Sequence, residues 1–287
     1  MVRSLSERLG RHYLLAATLL VLSGCAVGEK REVTAQRRWP AAGIETVQVD
    51  GVDGNLTVES GRPDEIVLVA RIRSRGIEPE TRQENSGYFQ TELTGGTLRI
   101  GQKRPRVRVR FPFASRPRLE VDYSLRVPET VALNLNTING RIATRGVAGP
   151  TRMSIINGAI DAEVGGEKDF KASTVNGEIR AKFLRHFTGA HLRTVNGGVA
   201  AVLPPSASFR CNLSQVNGDF EASFPLSIHS NPGSRRVSGE VNGGDYQLQI
   251  STVNGDVQVE HIAMPPVPDA PALPPVPAAP PAPVSGE

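Results

Sequence analysis

The chain has 287 residues, of which 33 are Lys or Arg and 29 are Asp or Glu, a formal net charge of +4. This near balance argues against a strong electrostatic field over the whole protein, so any anionic partner has to be sought in a local patch. Glycine (29) and proline (22) are abundant while aromatic residues make up 5%, which suits a fold of many strands and turns large enough to bury a sizeable core.

The N-terminal segment has the layout of a secretory signal. Arg3, Arg8 and Arg11 precede an uncharged apolar run of ten residues, 13–22. A membrane-spanning helix needs about 20 apolar residues, so this run is too short to remain as a span. We therefore expect residues 1–24 to be removed, which takes away three basic residues and one acidic residue and leaves a formal charge of +2.

The end of this segment resembles the lipobox of bacterial lipoproteins. Leu22, Ser23 and Gly24 stand directly before Cys25. The resemblance implies cleavage before Cys25 and attachment of lipid to its thiol, where each buried methylene adds roughly 0.8 kcal/mol of membrane affinity. In bacteria with two membranes, an aspartate after the cysteine implies retention in the inner membrane. Ala26 stands there instead, so the resemblance implies the outer membrane.

Strand patterns begin after a polar, basic segment. Residues 25–43 lack apolar periodicity and are interpreted as a tether. Apolar and polar residues then alternate on both sides of a turn at Asp53-Gly54, and similar short runs follow up to Val127. No convincing amphipathic helix is found between residues 44 and 263, so the sequence predicts an all-β domain over 44–263.

The densest positive charge lies between Lys103 and Arg118. Arg106, Arg108 and Arg110 alternate with apolar residues, and in a strand this places the three guanidinium groups on one face. One interpretation is a polyanion-binding site for anionic lipid or lipopolysaccharide, because arginine forks match phosphate. The other is a charged edge strand that prevents aggregation. Nucleic acid is not expected as a partner.

From residue 134 onward an Asn-Gly pair recurs within similar cassettes such as Thr-Val-Asn-Gly-Glu-Ile. Asn and Gly readily accept positive φ, so each pair predicts a structural corner. Val175 and Ile179, which flank one pair, are both expected to face the core. The seven pairs are Asn139-Gly140, Asn157-Gly158, Asn176-Gly177, Asn196-Gly197, Asn217-Gly218, Asn242-Gly243 and Asn254-Gly255.

Two architectures produce such a pattern. Asn-Gly between alternating apolar residues is a strong hairpin signal, which would give an antiparallel sandwich or a rolled meander. Near-identical cassettes at intervals of 18 to 21 residues instead favour a β-solenoid or β-helix-like stack, because each coil then lies on its equivalent. The longer interval after Asn217 and the shorter one after Asn242 depart from the regular repeat, which spans 134–260.

The cassettes, together with Leu125-Arg126-Val127-Pro128 and the lipobox, make the chain similar to a bacterial β-strand-repeat family of adhesin-like proteins, whose domain has no established function. The resemblance covers roughly residues 44–263. It implies the repeat architecture and transfers no catalytic residue.

The final segment, 264–287, contains ten prolines and predicts an extended, disordered tail.

The sequence offers no catalytic motif, and neither a metal nor another cofactor is expected. His186, His191, His229 and His261 stand in dissimilar contexts, and Cys211 is expected to be buried. Acidic residues follow some of the Asn-Gly pairs, and a convergent set would suit a β-helix enzyme that acts on polysaccharide; these residues are Glu178, Asp219 and Asp256. We therefore expect a non-enzymatic, membrane-anchored lipoprotein that serves as an adhesin-like scaffold for a protein or glycan of the cell envelope. The alternatives are the polyanion-binding module and the polysaccharide enzyme.

Overall fold

The alternating apolar runs form nineteen β-strands in the computed structural model, which describes residues 30–75, 88–103, 118–165, 169–231 and 234–262. No helix occurs in these ranges, and so none that is long and apolar enough to cross a membrane. Cys25, the three arginines 106, 108 and 110, and the proline-rich segment lie outside the described residues. The strands are β1 Lys30–Pro40, β2 Thr46–Asp50, β3 Leu56–Ser60, β4 Glu65–Arg75, β5 Phe89–Thr94, β6 Thr97–Gln102, β7 Arg118–Val127, β8 Ala132–Val147, β9 Thr151–Val164, β10 Phe170–Asn176, β11 Ile179–Phe183, β12 Ala190–Arg193, β13 Val199–Leu203, β14 Phe209–Asn217, β15 Phe220–Ala222, β16 Ser227–Asn231, β17 Ser234–Val241, β18 Tyr246–Asn254 and β19 Val257–His261.

The strands stack in parallel rungs. Each rung has one strand in a front sheet, a corner, and one strand in a back sheet. Long strands β8 and β9 run through the corner, whereas the other rungs use two short strands. In spatial order, rungs 1 to 7 are β2/β3, β8, β9, β10/β11, β12/β13, β18/β19 and β14/β15.

The predicted all-β solenoid-like stack is therefore confirmed, and antiparallel pairing is found only towards its ends. At one end β5 pairs with β6 in the front sheet, and β1, β4 and β7 pair successively in the back sheet. At the other end β17 pairs with β14 and β16 pairs with β17.

Chain order and spatial order differ at both ends of the stack. At one end β6 and β7 pair in parallel with β2 and β3 from the outside, so rung 1 lies between them and rung 2, although they follow rung 1 in the sequence. At the other end the last rung of the chain, rung 6, lies between rung 5 and rung 7, although rung 7 precedes it in the sequence. The departure from the regular interval after Asn217 reflects this insertion, because β16 and β17 fold back over β14 before the chain enters rung 6.

The tether predicted for residues 25–43 is wrong for residues 30–40, which form β1. This strand pairs with β4 along its whole length. The strand was not recognised in the sequence because it is polar. It is the outermost strand of the back sheet, where Ala35 is buried while Val33 and Trp39 are only half-buried.

The core lies between the two sheets and consists mainly of aliphatic residues from alternate strand positions. Along one side, five phenylalanine rings follow one another in edge-to-face contacts, with centroids 5.0 to 5.8 Å apart. This geometry is favourable for aromatic pairs. The rings belong to Phe170, Phe183, Phe187, Phe209 and Phe224.

Candidate interaction faces

The corners stack directly on one another and form a ladder of side-chain amides. Asn139 donates from Nδ2 to Oδ1 of Asp53 at 2.6 Å. Each further asparagine donates to the carbonyl oxygen of the one before it at 2.8 to 2.9 Å. All six hydrogen bonds point the same way, so the ladder ends on the Asp53 carboxylate. In spatial order its members are Asp53, Asn139, Asn157, Asn176, Asn196, Asn254 and Asn217.

The corner glycines have no room for a side chain. Gly177 has φ +150°, and a Cβ there would lie 2.0 Å from the carbonyl oxygen of Gly158 in the rung below. Gly158, Gly197 and Gly255 face the same obstruction from their own neighbours, at 1.7 to 2.0 Å. Glycine is thus required by the close approach of successive rungs as well as by the backbone angle.

Asn242-Gly243 is not part of this column. It forms the turn between β17 and β18, where Asn242 has φ +49° and its amide donates to the carbonyl oxygens of Pro205 and Ala207. Asp53-Gly54 occupies the equivalent corner of rung 1 instead.

The prediction that Val175 faces the core is wrong, whereas Ile179 is buried as expected. Val175 is 41% exposed because the neighbouring Thr174 takes the inward position. The Thr174 hydroxyl donates to the carbonyl oxygen of Gly158, and Thr194 does the same for Gly177. A buried carbonyl without a partner is costly, which explains the threonine two residues before the asparagine in these cassettes.

The outward β-branched residues before the corner form an aliphatic ridge along the stack. Its members are exposed or half-buried: Val52, Ile138, Ile156, Val175, Val195, Val253 and Val216.

The front face beside this ridge carries cations without carboxylates. Arg152, Lys171 and His191 are register partners in rungs 3, 4 and 5. Arg193 lies in the next column, opposite Ser173. From rung 2 to rung 7 the described front strands contain no Asp or Glu up to the corner. Sequence analysis missed this column, although Arg152, Lys171 and His191 each stand five residues before the corner asparagine of their rung.

The back face, in contrast, pairs its charges. Arg141 lies 3.1 Å from Asp161, and Arg180 lies 3.6 Å from both Asp161 and Glu178. At one end of this face, Arg71 of β4 forms an ion pair with Glu32 of β1 at 3.3 Å. Such exposed pairs add little stability, but they leave the back face close to neutral.

The three acidic residues considered for a polysaccharide enzyme do not converge. Asp219 and Asp256 are neighbours, since the Asp219 amide donates to the Asp256 carboxylate at 2.8 Å. Glu178 is two rungs from Asp256, with Gly198 between them. Within the described residues, no group of three His, Cys, Asp or Glu side chains could hold a metal ion.

The remaining candidate residues are dispersed. His186 lines a shallow groove with Ser206 and Tyr246, and none of the residues that line it is acidic. His261 makes an edge contact with Phe224 at the end of the phenylalanine row. Cys211 is fully buried, and burial raises the pKa of its thiol to about 11, which keeps it protonated at neutral pH. The side chain of His229 lies outside the part of the chain that the structure describes.

These features define a class of protein: a parallel β-stack with an asparagine corner ladder, whose two faces differ in charge. The Toastrack DUF4097 family matches residues 38–260, which is more than half of the chain, and the protein belongs to this family. No match to a curated protein reaches significance.

The solved structures that this chain resembles share little sequence with it. A candidate cell adhesion protein of Clostridium sporogenes is 9% identical, with a TM-score of 0.40 over 82% of this chain and 100% of its own. A candidate lipid-binding protein of Parabacteroides distasonis is 12% identical, with a TM-score of 0.36 over 80% and 97%. A candidate adhesin of Parabacteroides merdae is 11% identical, with a TM-score of 0.29 over 80% and 96%.

Proposed function

We propose that the protein is a non-enzymatic lipoprotein, anchored through Cys25 to the outer membrane, whose rigid stack presents one interaction face to a component of the cell envelope. The observation that carries this proposal is the difference between the two faces. The back face neutralises its own charges, while Arg152, Lys171 and Arg193 on the front face form no ion pair within the described ranges. A face of fixed cations on a rigid scaffold suits binding better than catalysis.

The position of β1 supports an anchor close to the body. Lys30, where β1 begins, is only five residues after Cys25, and β1 is the outermost strand of the back sheet. Five residues span at most about 17 Å when fully extended. An anchor on Cys25 therefore holds the β1 end of the stack near the lipid surface.

The polysaccharide-enzyme alternative receives no support from the carboxylates, because Glu178 stands apart from Asp219 and Asp256. The polyanion-binding alternative remains a proposal for Arg106, Arg108 and Arg110, which lie outside the described residues.

Fractionation of cells tests the anchor. We expect the wild type to remain with membranes after a high-salt wash and Cys25→Ser to be released, because lipid on Cys25 is the proposed attachment. Cys211→Ala is the matched control, since it removes the other cysteine from within the core and should leave fractionation unchanged. Retention of Cys25→Ser on washed membranes would refute the lipid anchor.

A further inference from the structure

The cationic column on the front face runs along the axis of the stack. Arg152, Lys171 and His191 lie directly opposite one another on adjacent parallel strands, so their α-carbons are about 4.8 Å apart from rung to rung. Like charges at directly opposed positions destabilise a sheet. The chain nevertheless places Arg152 and Lys171 together and adds Arg193 one column away.

Among the described residues, carboxylates lie at the margins of this surface and not within it. Asp50 in rung 1 accepts from the side chains of Asn136 and Gln48, and Glu240 in β17 is paired with Arg210 at 2.8 Å. Asp169 and Asp245 precede β10 and β18 rather than lying within them. The positive charge of the central rungs is therefore left for a ligand to neutralise.

Neutral hydrogen-bonding groups surround the cations on the same face. Hydroxyls of Ser154, Ser173 and Ser251 form the column next to the cationic one, and Arg193 belongs to that column. Gln249 extends the cationic column on one side and Asn134 on the other. These side chains stand on strands, so the backbone that carries them is already ordered before a ligand binds. The result is a polar strip two columns wide, bounded by the aliphatic ridge.

We propose that this front strip, across rungs 2 to 6, binds an acidic polysaccharide that lies along the stack axis. The inference deepens the proposed envelope function and rests on it for the identity of the interaction face. A linear acidic glycan offers regularly spaced anions together with hydroxyl groups. These complement Arg152 and Lys171 in one column and the serine hydroxyls with Arg193 in the next. A lipid bilayer would instead require apolar groups intermixed with the cations, whereas here the ridge and the cationic column are separated by the serine column.

The test uses the full mature chain, purified in neutral detergent, with polygalacturonate as the probe. Fully methyl-esterified polygalacturonate has the same backbone without the charge and serves as the ligand control. We expect binding of the acid form at low salt, binding that weakens as salt is added, and at least tenfold weaker binding of the methyl ester. Competition by lipid uses the mature chain with Cys25→Ser in buffer without detergent, because acyl chains on Cys25 would insert into any bilayer. With this variant, a phosphatidylglycerol nanodisc added as competitor should displace the glycan less effectively than free polygalacturonate does.

Two triple variants locate the binding face. Arg152→Gln, Lys171→Gln and Arg193→Gln together remove three charges from the front face. We expect this variant to bind roughly tenfold more weakly, a loss of about 1.4 kcal/mol shared by three exposed ionic contacts. Arg141→Gln, Arg145→Gln and Lys182→Gln remove the same charge from the back face, and this variant should stay within about twofold of the wild type. Melting curves of both variants should match the wild type, because all six residues project from the outer faces.

Several outcomes would overturn the proposal. Equal losses in the two triple variants would mean that net charge, rather than the front strip, governs binding. If the methyl ester binds as tightly as the acid form, or if the acid form does not bind, an acidic glycan is excluded as the ligand. Stronger competition by the nanodisc would assign the strip to a lipid surface. None of these results depends on the membrane fractionation of Cys25→Ser, so the anchor and the glycan site fail separately.

Discussion

At the scale of single residues, the corner of each rung is determined by how closely two backbones approach. The glycine Cα faces the carbonyl oxygen of the neighbouring glycine, and the threonine two positions before the asparagine satisfies such a carbonyl in several rungs. Rung 7 solves the same problem with Gln215, whose fully buried amide donates to the carbonyl oxygens of Asp219 and Gly255. The cassette is thus a set of mutually dependent contacts between rungs.

Alanine at Gly177 should destabilise the fold much more than alanine at Gly95. Both glycines have positive φ, but Gly95 has nothing within 4 Å of a Cβ, while Gly177 has a backbone oxygen at 2.0 Å. We expect Gly177→Ala to lower the free energy of unfolding by at least about 3 kcal/mol and Gly95→Ala by about 1 kcal/mol. Chemical denaturation of the two variants measures the difference. Equal losses would show that the backbone angle alone, and not the contact between rungs, requires glycine.

At the scale of elements, the asparagine ladder joins the seven rungs along the corner. Each internal member both donates and accepts, whereas Asp53 at the end only needs to accept. Because every amide donates in the direction of Asp53, the positive end of the aligned amide dipoles lies next to the negative carboxylate of Asp53. This arrangement is electrostatically favourable. The ladder therefore has a polarity, and a substitution that removes one donor interrupts it.

Two isosteric exchanges test this polarity. In the wild type, Nδ2 of Asn176 donates to Oδ1 of Asn157 at 2.9 Å. Asn176→Asp removes this donor and places a carboxylate oxygen next to the Asn157 oxygen. We expect a loss of about 1–3 kcal/mol in the free energy of unfolding. Asp53→Asn retains an acceptor for Asn139 and should cost less than about 1 kcal/mol. Denaturant titrations of both variants provide the comparison, and the reverse ranking would contradict the ladder.

At the scale of the whole molecule, the stack is held by contacts between neighbouring rungs, so the loss of an internal rung separates those on either side. Rung 6 contributes Leu248, Ile250, Val257 and Val259 to the core, all essentially inaccessible to solvent. Each such side chain stabilises the fold by roughly 1.5–3 kcal/mol, and the sum is comparable to the entire stability of a typical domain.

Two truncations separate rung 6 from the proline-rich segment. A chain that ends at Ile262 keeps every described strand and should melt like the chain with its C-terminal segment intact. A chain that ends at Asp245 lacks rung 6 and should melt at least about 10 °C lower or lose its cooperative transition. Thermal melting followed by circular dichroism distinguishes the two. If the chain that ends at Asp245 melts normally, rung 7 docks on rung 5 and rung 6 adds no stability.

The repeated cassettes made the stack and its corners predictable, because glycine and asparagine at a fixed place have a local physical meaning. Neighbour relations between rungs were not predictable from the same residues. Asn217 and Asn254 stand in similar cassettes, and only the packing shows which of them meets Asn196. The front-face cations were not predictable for a related reason. Arg152 and Lys171 are 19 residues apart in the sequence and become neighbours only when the corners of their rungs are aligned.

The insertion of rung 6 has a consequence for the order in which the protein is made. When β14 and β15 leave the ribosome, the surface that they finally cover does not yet exist, because residues 246–261 follow them. The open edge at that moment is rung 5, which carries the same kind of corner. The native parallel pairing of β14 with β18 and of β15 with β19 therefore forms only after residues 246–261 have been made. The time between the emergence of residue 222 and residue 261 is the interval in which a wrong neighbour competes with the right one.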